Sequence, residues 1–400
     1  MNRLEERIAS RKHKDVYELI RFHGTVSKIE LLEQSRMTGS TLTRTLEELV
    51  SQKLILEAGL GDSTGGRRPI LYEINPHYGY VFGLEISRIA SRLVLCDLLM
   101  RKLDSQRWPM TESMTPELLL GEVAAAMSDM LARHRIAGQD VLGMGIGAVG
   151  PLDRFSGIIL EPLYFPAQGW TQVRIVDFFR ERFPFPVLLD NGANTAILGE
   201  YWADRRHNTQ HLLYVHVGVG LRSSMMTGGK VVYGAVDMEG SIGQMIIQTD
   251  GKRLGDRGNY GSLESYATIH ALELEAQAKL KMGRRSVLLE KEPNPERIGF
   301  HHLVQALHEG DPLTVDIFTQ TATCFGIGLA NLLNILHPEK VILGGSLISC
   351  HPLFFEVSTE VALRNAYYYP KYQVEFSQGV LGEEALVTGA AVMVANKLTE

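Results

Sequence analysis

The chain has 400 residues, of which 45% are hydrophobic and 22% are charged, and its formal net charge is −6. This length exceeds what one compact core supports, so we expect two or three domains. The acidic balance excludes a uniformly basic nucleic-acid-binding protein and confines any DNA contact to a local surface. No apolar run reaches the roughly 18 residues of a membrane span. The charged first residues lack the apolar core of a signal peptide, and we therefore expect a cytoplasmic protein without a membrane segment.

Helical patterns fill most of the first 50 residues. Apolar residues between Lys14 and His23 fall on one helical face. Ser27 and Glu30 form a capping box that predicts the start of a second helix. A third helix follows, with leucines directed inward. On its opposite face, where a major groove could be contacted, we expect Ser40, Thr41, Arg44 and Thr45.

Two strand patterns after Lys53, LILEAGL and PILYEIN, flank the segment GDSTGGRR. Such a hairpin tip, with Arg67 and Arg68, is typical of the wing in a winged helix-turn-helix. We expect Arg44 to contact base edges and the two wing arginines to contact phosphates or a narrow minor groove. The alternative is that all three are solvated surface arginines.

Beyond residue 75 the pattern is α/β, because apolar strands alternate with amphipathic helices in two comparable halves. We expect a winged helix-turn-helix at 1–75, a first α/β lobe at 76–195 and a second at 196–400. The helix predicted at 383–397 could return to the first lobe.

Residues 188–200 read LLDNGANTAILGE. A carboxylate at position 192, between Asn191 and Asn194 at the end of an apolar strand, could accept a proton from a sugar hydroxyl during phosphoryl transfer. Gly192 has no such group. The alternative is that this run only turns the chain from strand into helix.

Several segments, in order along the chain, resemble the ROK family of repressors, open reading frames and kinases. They are the turn at 145–151 with Asp153, Trp170, LLDNGAN, EGSIGQ, GNYGSLES and VILGGS. The resemblance implies an actin-like (ribonuclease-H-like), two-lobed sugar-kinase fold with ligand in the central cleft. The family's active kinases carry Asp where this chain has Gly192, and they lack the N-terminal extension, which resembles that of the sugar-responsive repressor branch.

The same resemblance indicates two altered phosphate loops. In the first, Ser87 and Arg88 replace the paired glycines of the kinases, and in the second, Leu221, Arg222 and Ser223 replace a glycine-rich continuation. Because backbone amides must approach phosphate oxygens closely, side chains at these positions oppose nucleotide binding. We expect neither ATP nor kinase activity.

Many family members hold a structural zinc ion through one His and three Cys. Here Gln244 stands at the histidine position, Ser262 replaces the last cysteine, and the intervening segment has no cysteine. Amide and hydroxyl oxygens are poor zinc ligands, and Asp256 alone cannot replace three thiolates. We expect no zinc site.

Asn191 and Glu264 match the family's sugar-binding positions, where directed hydrogen bonds hold hydroxyl groups. Gln244 could also bond a ligand. The alternatives are a turn-forming role for Asn191 and, for Glu264, a helix N-terminal carboxylate stabilised by the dipole.

The leading hypothesis is a DNA-binding transcriptional regulator, of the repressor kind, that acts as a homodimer or higher homo-oligomer on an operator with two half-sites and senses a sugar or sugar derivative. One rival is a sugar kinase with an added DNA-binding domain, in which Asp190 would have to serve as a misplaced base. Another is a regulator whose body senses a protein partner.

Overall fold

The computed structural model describes residues 6–8, 10–62, 68–237, 240–256 and 258–400. The chain divides into two compact units. Unit 1 comprises Met1–Asn208 and Glu384–Glu400, and unit 2 comprises Thr209–Glu383.

The N-terminal module is a winged helix-turn-helix. Its elements are α1 (Arg11–His23), β1 (Val26–Ser27), α2 (Lys28–Gln34), α3 (Gly39–Ser51), β2 (Ile55–Leu60) and β3 (Ile70–Ile74). The three strands form an antiparallel sheet in the order β1-β3-β2. The capping box of Ser27 and Glu30 starts α2, and the Thr38 side chain caps α3. These caps fix the turn between the two helices.

One residue of α3 does not lie on the face of the helix that the sequence predicts. Thr45 is only 4% exposed, so its assignment to the exposed face is wrong. It follows Leu42 by three residues and precedes Leu49 by four, and these spacings place it on the same, inward face of the helix. Ser40 and Arg44 are exposed.

The rest of unit 1 begins as an α/β domain. Its elements up to residue 204 are β4 (Tyr80–Ile86), β5 (Ala90–Asp97), β6 (Lys102–Pro109), α4 (Pro116–His134), β7 (Val141–Ala148), β8 (Leu152–Asp153), β9 (Ile158–Ile159), α5 (Ile175–Arg180), β10 (Val187–Asn191) and α6 (Gly192–Asp204). Five strands form a sheet in the order β10-β7-β4-β5-β6. β10, β7 and β4 are parallel, and β5 and β6 continue as an antiparallel meander.

Unit 2 repeats this sheet. Its elements are β11 (His211–Val217), β12 (Leu221–Thr227), β13 (Lys230–Val231), α7 (Ile269–Lys281), α8 (Leu288–Lys291), α9 (Phe300–His308), α10 (Pro312–Leu336), β14 (Lys340–Gly344), α11 (Ser346–Ser349), α12 (Pro352–Arg364) and β15 (Glu375–Ser377). The strand order is β13-β12-β11-β14-β15, again with a meander on one side and parallel strands on the other. Two copies of one α/β topology are the mixed α/β architecture that the sequence predicts.

The last helix, α13 (Ala385–Asn396), belongs to unit 1. The expected boundary between residues 195 and 196 is wrong, because it falls inside α6 and the division lies after Asn208. Helix α13 is strongly apolar, and it shares one hydrophobic core with the five-stranded sheet of unit 1 and with the N-terminal module. That core includes Val16, Ile20, Val81, Val394 and Leu398.

Helix α10 is the one helix among the described residues that is long and apolar enough to cross a membrane. Of its most apolar 18-residue window, 61% is buried inside the protein. Ile317, Phe325 and Leu329 lie in the hydrophobic core of unit 2. Its apolar character therefore reflects its position as the central helix of that core.

Candidate DNA-binding surface and sugar-binding residues

The exposed face of α3 carries Arg44, whose side chain is 83% exposed. Its Nε donates a hydrogen bond of 2.8 Å to Glu48 Oε1, and His13 Nε2 of α1 lies 2.7 Å from Glu48 Oε2. Hydrogen bonds from Arg44 and His13 lower the pKa of the Glu48 carboxylate. Glu48 therefore holds Arg44 along the helix and links it to α1.

Two further parts of the module bear on DNA contact. Arg36, in the turn between α2 and α3, is exposed. It was not predicted from the sequence, although a cation in the turn before a predicted recognition helix is a recognisable signal. In the wing, Arg68 is exposed next to β3, whereas Arg67 lies outside the described residues.

Asn191 lies at the junction of β10 and α6. As N-cap of α6, its Oδ1 accepts a hydrogen bond of 3.1 Å from the amide of Ala193. Asp190 Oδ1 accepts hydrogen bonds from the Asn191 amide at 2.7 Å and from Asn194 Nδ2 at 2.9 Å. All of these side chains are buried. The turn-forming role is thus present in the structure, and sugar contact by Asn191 stays a prediction.

Gly192 occupies the first position of α6 and is buried. A Cβ atom there would lie 3.1 Å from Leu386 Cδ2 and 3.7 Å from the Ala148 carbonyl oxygen. The nearest obstacle is the end of a flexible side chain, so the backbone here accepts a side chain. Steric crowding therefore does not require a glycine at position 192.

The other two candidate ligand residues lie in unit 2. Gln244 Oε1 accepts a hydrogen bond of 2.9 Å from the amide of Asn259, and the Gln244 carbonyl oxygen accepts one of 2.9 Å from Asn259 Nδ2. Gln244 thus fixes the neighbouring segment.

Glu264 lies in a short 3-10 turn and is partly exposed. It precedes Thr268, the N-cap of α7, so it lies outside that helix and the proposed stabilisation by its dipole does not apply. Within the part of the chain that the structure describes, no group donates a hydrogen bond to the Glu264 carboxylate. It is thus available to accept hydrogen bonds from a ligand.

The segments at both kinase phosphate loops are tied by their own side chains. After β4, Ser87 Oγ donates to the Ala90 carbonyl oxygen at 2.7 Å, and Arg88 Nε donates to the Leu163 carbonyl oxygen at 2.7 Å. These contacts occupy a turn that in a phosphate loop would present bare backbone amides.

In β12 of unit 2, Arg222 Nη2 donates to Asp237 Oδ1 at 3.1 Å and to its carbonyl oxygen at 2.8 Å, and Nη1 donates to Ser241 Oγ at 3.2 Å. The arginine thus fixes the segment around residues 237 and 241 on the strand. It is already committed to protein partners rather than presented to a nucleotide.

The segment that would hold zinc is linked by neutral hydrogen bonds. Besides the Gln244 contacts, Ser262 Oγ lies 2.8 Å from Ser265 Oγ, which accepts a hydrogen bond of 3.1 Å from the Leu254 amide. Within the described ranges, no three His, Cys, Asp or Glu side chains are grouped so as to hold a metal ion. These residues do not fit a closed tetrahedral zinc site.

A winged helix-turn-helix joined to a duplicated α/β body defines a class of proteins that combine a DNA-binding module with a sugar-kinase fold. The chain belongs to the ROK family, which residues 81–397 match. It is 28% identical over 369 residues to the xylose repressor of Caldicellulosiruptor bescii, and the match covers 92% of this chain and 90% of that protein. It is 24% identical over 332 residues to the N-acetylglucosamine repressor of Escherichia coli O157:H7, covering 83% and 79%.

Solved structures agree with this fold. A ROK family transcriptional regulator described as a homologue of the E. coli MLC protein superposes with a TM-score of 0.79 at 21% identity, and covers 98% of this chain and 96% of that one. A ROK glucokinase from Streptomyces griseus, in complex with glucose and AMPPNP, superposes with a TM-score of 0.66 at 25% identity over 79% of this chain. The kinase match leaves out about a fifth of the chain.

Proposed function

We propose that this protein is a transcriptional repressor that binds a specific operator through residues 1–75 and releases it when its ROK body binds a sugar or sugar derivative. The observation that carries the proposal is the winged helix-turn-helix built onto a ROK body, together with repressor relatives that match over both parts. The expected compartment is the cytoplasm, where DNA and sugar are both available.

Selection from genomic fragments tests operator binding. The full-length protein should enrich a restricted set of fragments with two similar half-sites, as expected for a homodimer. The double variant Arg67→Ala/Arg68→Ala should bind the selected fragment more weakly and with a smaller dependence on salt, because two phosphate contacts are lost. Arg285→Ala is the control, because it removes an exposed arginine of unit 2. This variant should bind the fragment as the unmodified protein does. Absence of any preferred fragment would contradict the proposal.

The effector is assigned by its chemistry as a polyol with several hydroxyl groups, which Asn191, Gln244 and Glu264 would hold through hydrogen bonds. A melting screen with D-xylose, N-acetyl-D-glucosamine and D-glucose tests this, because a ligand that binds only the folded state raises its apparent stability. A sugar that stabilises the unmodified protein should have little effect on Glu264→Ala. If no sugar has an effect and a transport component alters DNA binding instead, the body senses a protein partner.

The body is proposed to have lost phosphoryl transfer. Gly192 cannot act as a base, and the side chains at both phosphate loops are committed to protein contacts. A coupled assay with each sugar and ATP should give no turnover. Sugar-dependent turnover that Asp190→Asn abolishes would instead support the kinase with an added DNA-binding domain.

The ROK body is also proposed to need no zinc, since the side-chain oxygens of Gln244 and Ser265 accept hydrogen bonds from the Asn259 and Leu254 amides and hold this segment. Metal analysis of the purified protein should find far less than one zinc per chain. One tightly held zinc ion per chain would overturn this proposal.

A further inference from the structure

Helix α6 extends from the candidate sugar residue to the DNA-binding module, within unit 1. Its N-terminal end is capped by Asn191. With 13 residues it spans about 20 Å. At its C-terminal end, Trp202 and Arg205 contact α1 of the winged helix-turn-helix. One rigid element therefore touches both functional regions.

The C-terminal helix α13 reinforces α6. A Cβ atom on Gly389 of α13 would lie 1.6 Å from the Thr195 carbonyl oxygen of α6, and one on Gly199 of α6 would lie 2.3 Å from the Ala385 carbonyl oxygen. The two backbones are thus in direct contact, which only glycine permits. Because no side chains separate them, the helices cannot slide or tilt independently without losing this contact.

The contact between α6 and α1 is centred on Arg21. Its guanidinium carbon lies 4.6 Å from the centroid of the Trp202 ring, and the Arg205 guanidinium lies 4.0 Å from the same ring. Arg21 Nη1 donates a hydrogen bond of 2.7 Å to Asn396 Oδ1 at the end of α13. Arg205 Nε donates one of 3.2 Å to the Phe22 carbonyl oxygen. Both helices of the pair therefore hold α1.

Arg21 is an unusual residue for a buried position, where an apolar side chain would be sufficient for stability. Its side chain is 3% exposed, yet its Nε and Nη2 have no hydrogen-bond partner among the described residues. Burial of an incompletely paired cation is unfavourable, and an apolar side chain of similar volume is often as stable or more so. Arg21 Nη1 also lies 3.8 Å from the Glu18 carboxylate of the same helix, but the contacts with Trp202 and Asn396 are the ones that join α1 to α6 and α13.

The contacts continue through α1 to the DNA-facing helix. Two turns before Arg21, His13 lies 2.7 Å from Glu48 of α3, and Glu48 holds Arg44 at 2.8 Å. A displacement of α1 therefore alters the position of the arginine expected to contact bases.

We propose that α6 and α13 act as one rigid lever that couples the Asn191 turn to α1 through the contact of Arg21 with Trp202. The inference rests on the proposed function in that the occupant of the Asn191 turn is the effector and Arg44 contacts the operator. Coupling requires that the ligand favour one position of α1 over another, since equal affinity for both would shift nothing.

A double-mutant cycle followed by amide hydrogen exchange in the full-length chain tests the lever without sugar or DNA. Asn191→Ala removes the N-cap of α6 and should change exchange in α1 by about fivefold or more, the lower end of typical coupling. An Arg21→Met background removes the contacts of Arg21 with Trp202 and Asn396 and keeps a side chain of similar volume. The same change should there have a clearly smaller effect on α1, which keeps the hydrogen bond from Arg205 to the Phe22 carbonyl oxygen. Thr115→Ala, which removes the N-cap of α4 in the same unit, is the control and should leave α1 unchanged. An equal effect of Asn191→Ala in both backgrounds, or no effect in either, overturns the lever.

The second arm measures operator affinity with and without whichever of D-xylose, N-acetyl-D-glucosamine and D-glucose stabilises the protein. Arg21→Met and Trp202→Leu should keep the sugar-induced rise in melting temperature, and the sugar should change their operator affinity clearly less than it changes that of the unmodified protein. Retention of the full sugar effect on DNA in both variants overturns the lever while the proposed function stands. If no sugar stabilises the protein, the proposal of a sugar effector is wrong. The hydrogen-exchange cycle still tests whether α6 and α13 act as a lever.

Discussion

Alanine at two helical glycines should have opposite effects, and the comparison tests the backbone contact between α6 and α13. At Gly389 the new Cβ would lie 1.6 Å from the Thr195 carbonyl oxygen and 2.7 Å from the Gly199 nitrogen. These are backbone atoms, so no rotamer change relieves the overlap, and α13 must move away from α6. At Gly121 of α4 a Cβ would meet nothing within 4 Å.

Overpacking in a core typically costs about 1–3 kcal/mol, and an overlap with rigid backbone should reach or exceed the upper end, about 3 kcal/mol. Gly121→Ala should instead stabilise α4 by about 0.5–1 kcal/mol, because alanine restricts the unfolded chain and favours helix. Both variants add the same methyl group, so a difference in their stability reflects the surroundings of the two positions.

Urea unfolding followed by far-ultraviolet circular dichroism measures both variants, with the transition of unit 1 fitted separately if two are seen. The midpoint should fall for Gly389→Ala and rise for Gly121→Ala. If Gly389→Ala unfolds at the unmodified protein's midpoint, the helices are not in backbone contact, and the rigid lever loses its structural basis.

Three further outcomes are expected. Gly192→Asp should fold, because its nearest neighbour is the flexible end of Leu386, and should show no sugar-dependent ATP turnover; turnover would mean that the phosphate loops are intact. Arg44→Ala should weaken binding to the selected fragment by about 1–3 kcal/mol without changing the stability of the protein, whereas Thr45→Ala should lower that stability. DNA titration and urea unfolding measure the two effects. The reverse pattern would refute the placement of Arg44 on the exposed face of α3 and of Thr45 on its inward face. Burial raises the pKa of Asp311, but hydrogen bonds from Thr314, Ser286 and Val287 outweigh it and lower the pKa overall. The stability that this carboxylate contributes is therefore complete above its ordinary pKa and lost as the pH falls, so Asp311→Ala should destabilise unit 2 more at pH 7 than at pH 3; an equal effect at both pH values would contradict this.

The sequence predicts the elements of this fold well and their boundaries less well. The capping box of Ser27 and Glu30 and the alternating α/β pattern indicate local structure that forms as expected. The boundary between the two units lies at a different residue from the one predicted, because hydrophobic periodicity does not reveal which sheet a helix packs on. Helix α6 follows the last strand of the first sheet and remains with it, so the chain leaves unit 1 only after Asn208.

The candidate site shows the same limit. Thr45 resembles its polar neighbours in sequence, and only the spacing from Leu42 and Leu49 would have assigned it inward. For Asn191 the sequence contains nothing that separates a turn-forming role from a ligand contact, since one side chain can cap a helix and contact a sugar. Arg21 could not be found from the sequence, because the residues of α6 and α13 that it contacts, Trp202 and Asn396, lie more than 180 positions away along the chain.

A single titration decides whether operator binding by this protein responds to a sugar. Full-length protein is titrated onto its selected genomic fragment, with and without D-xylose, N-acetyl-D-glucosamine or D-glucose. One of these sugars should raise the dissociation constant for the fragment by about fivefold or more and leave the weak binding to unrelated DNA unchanged. Binding that shows no preference for the selected fragment, or that none of the sugars alters, would mean that the protein is not a sugar-responsive repressor.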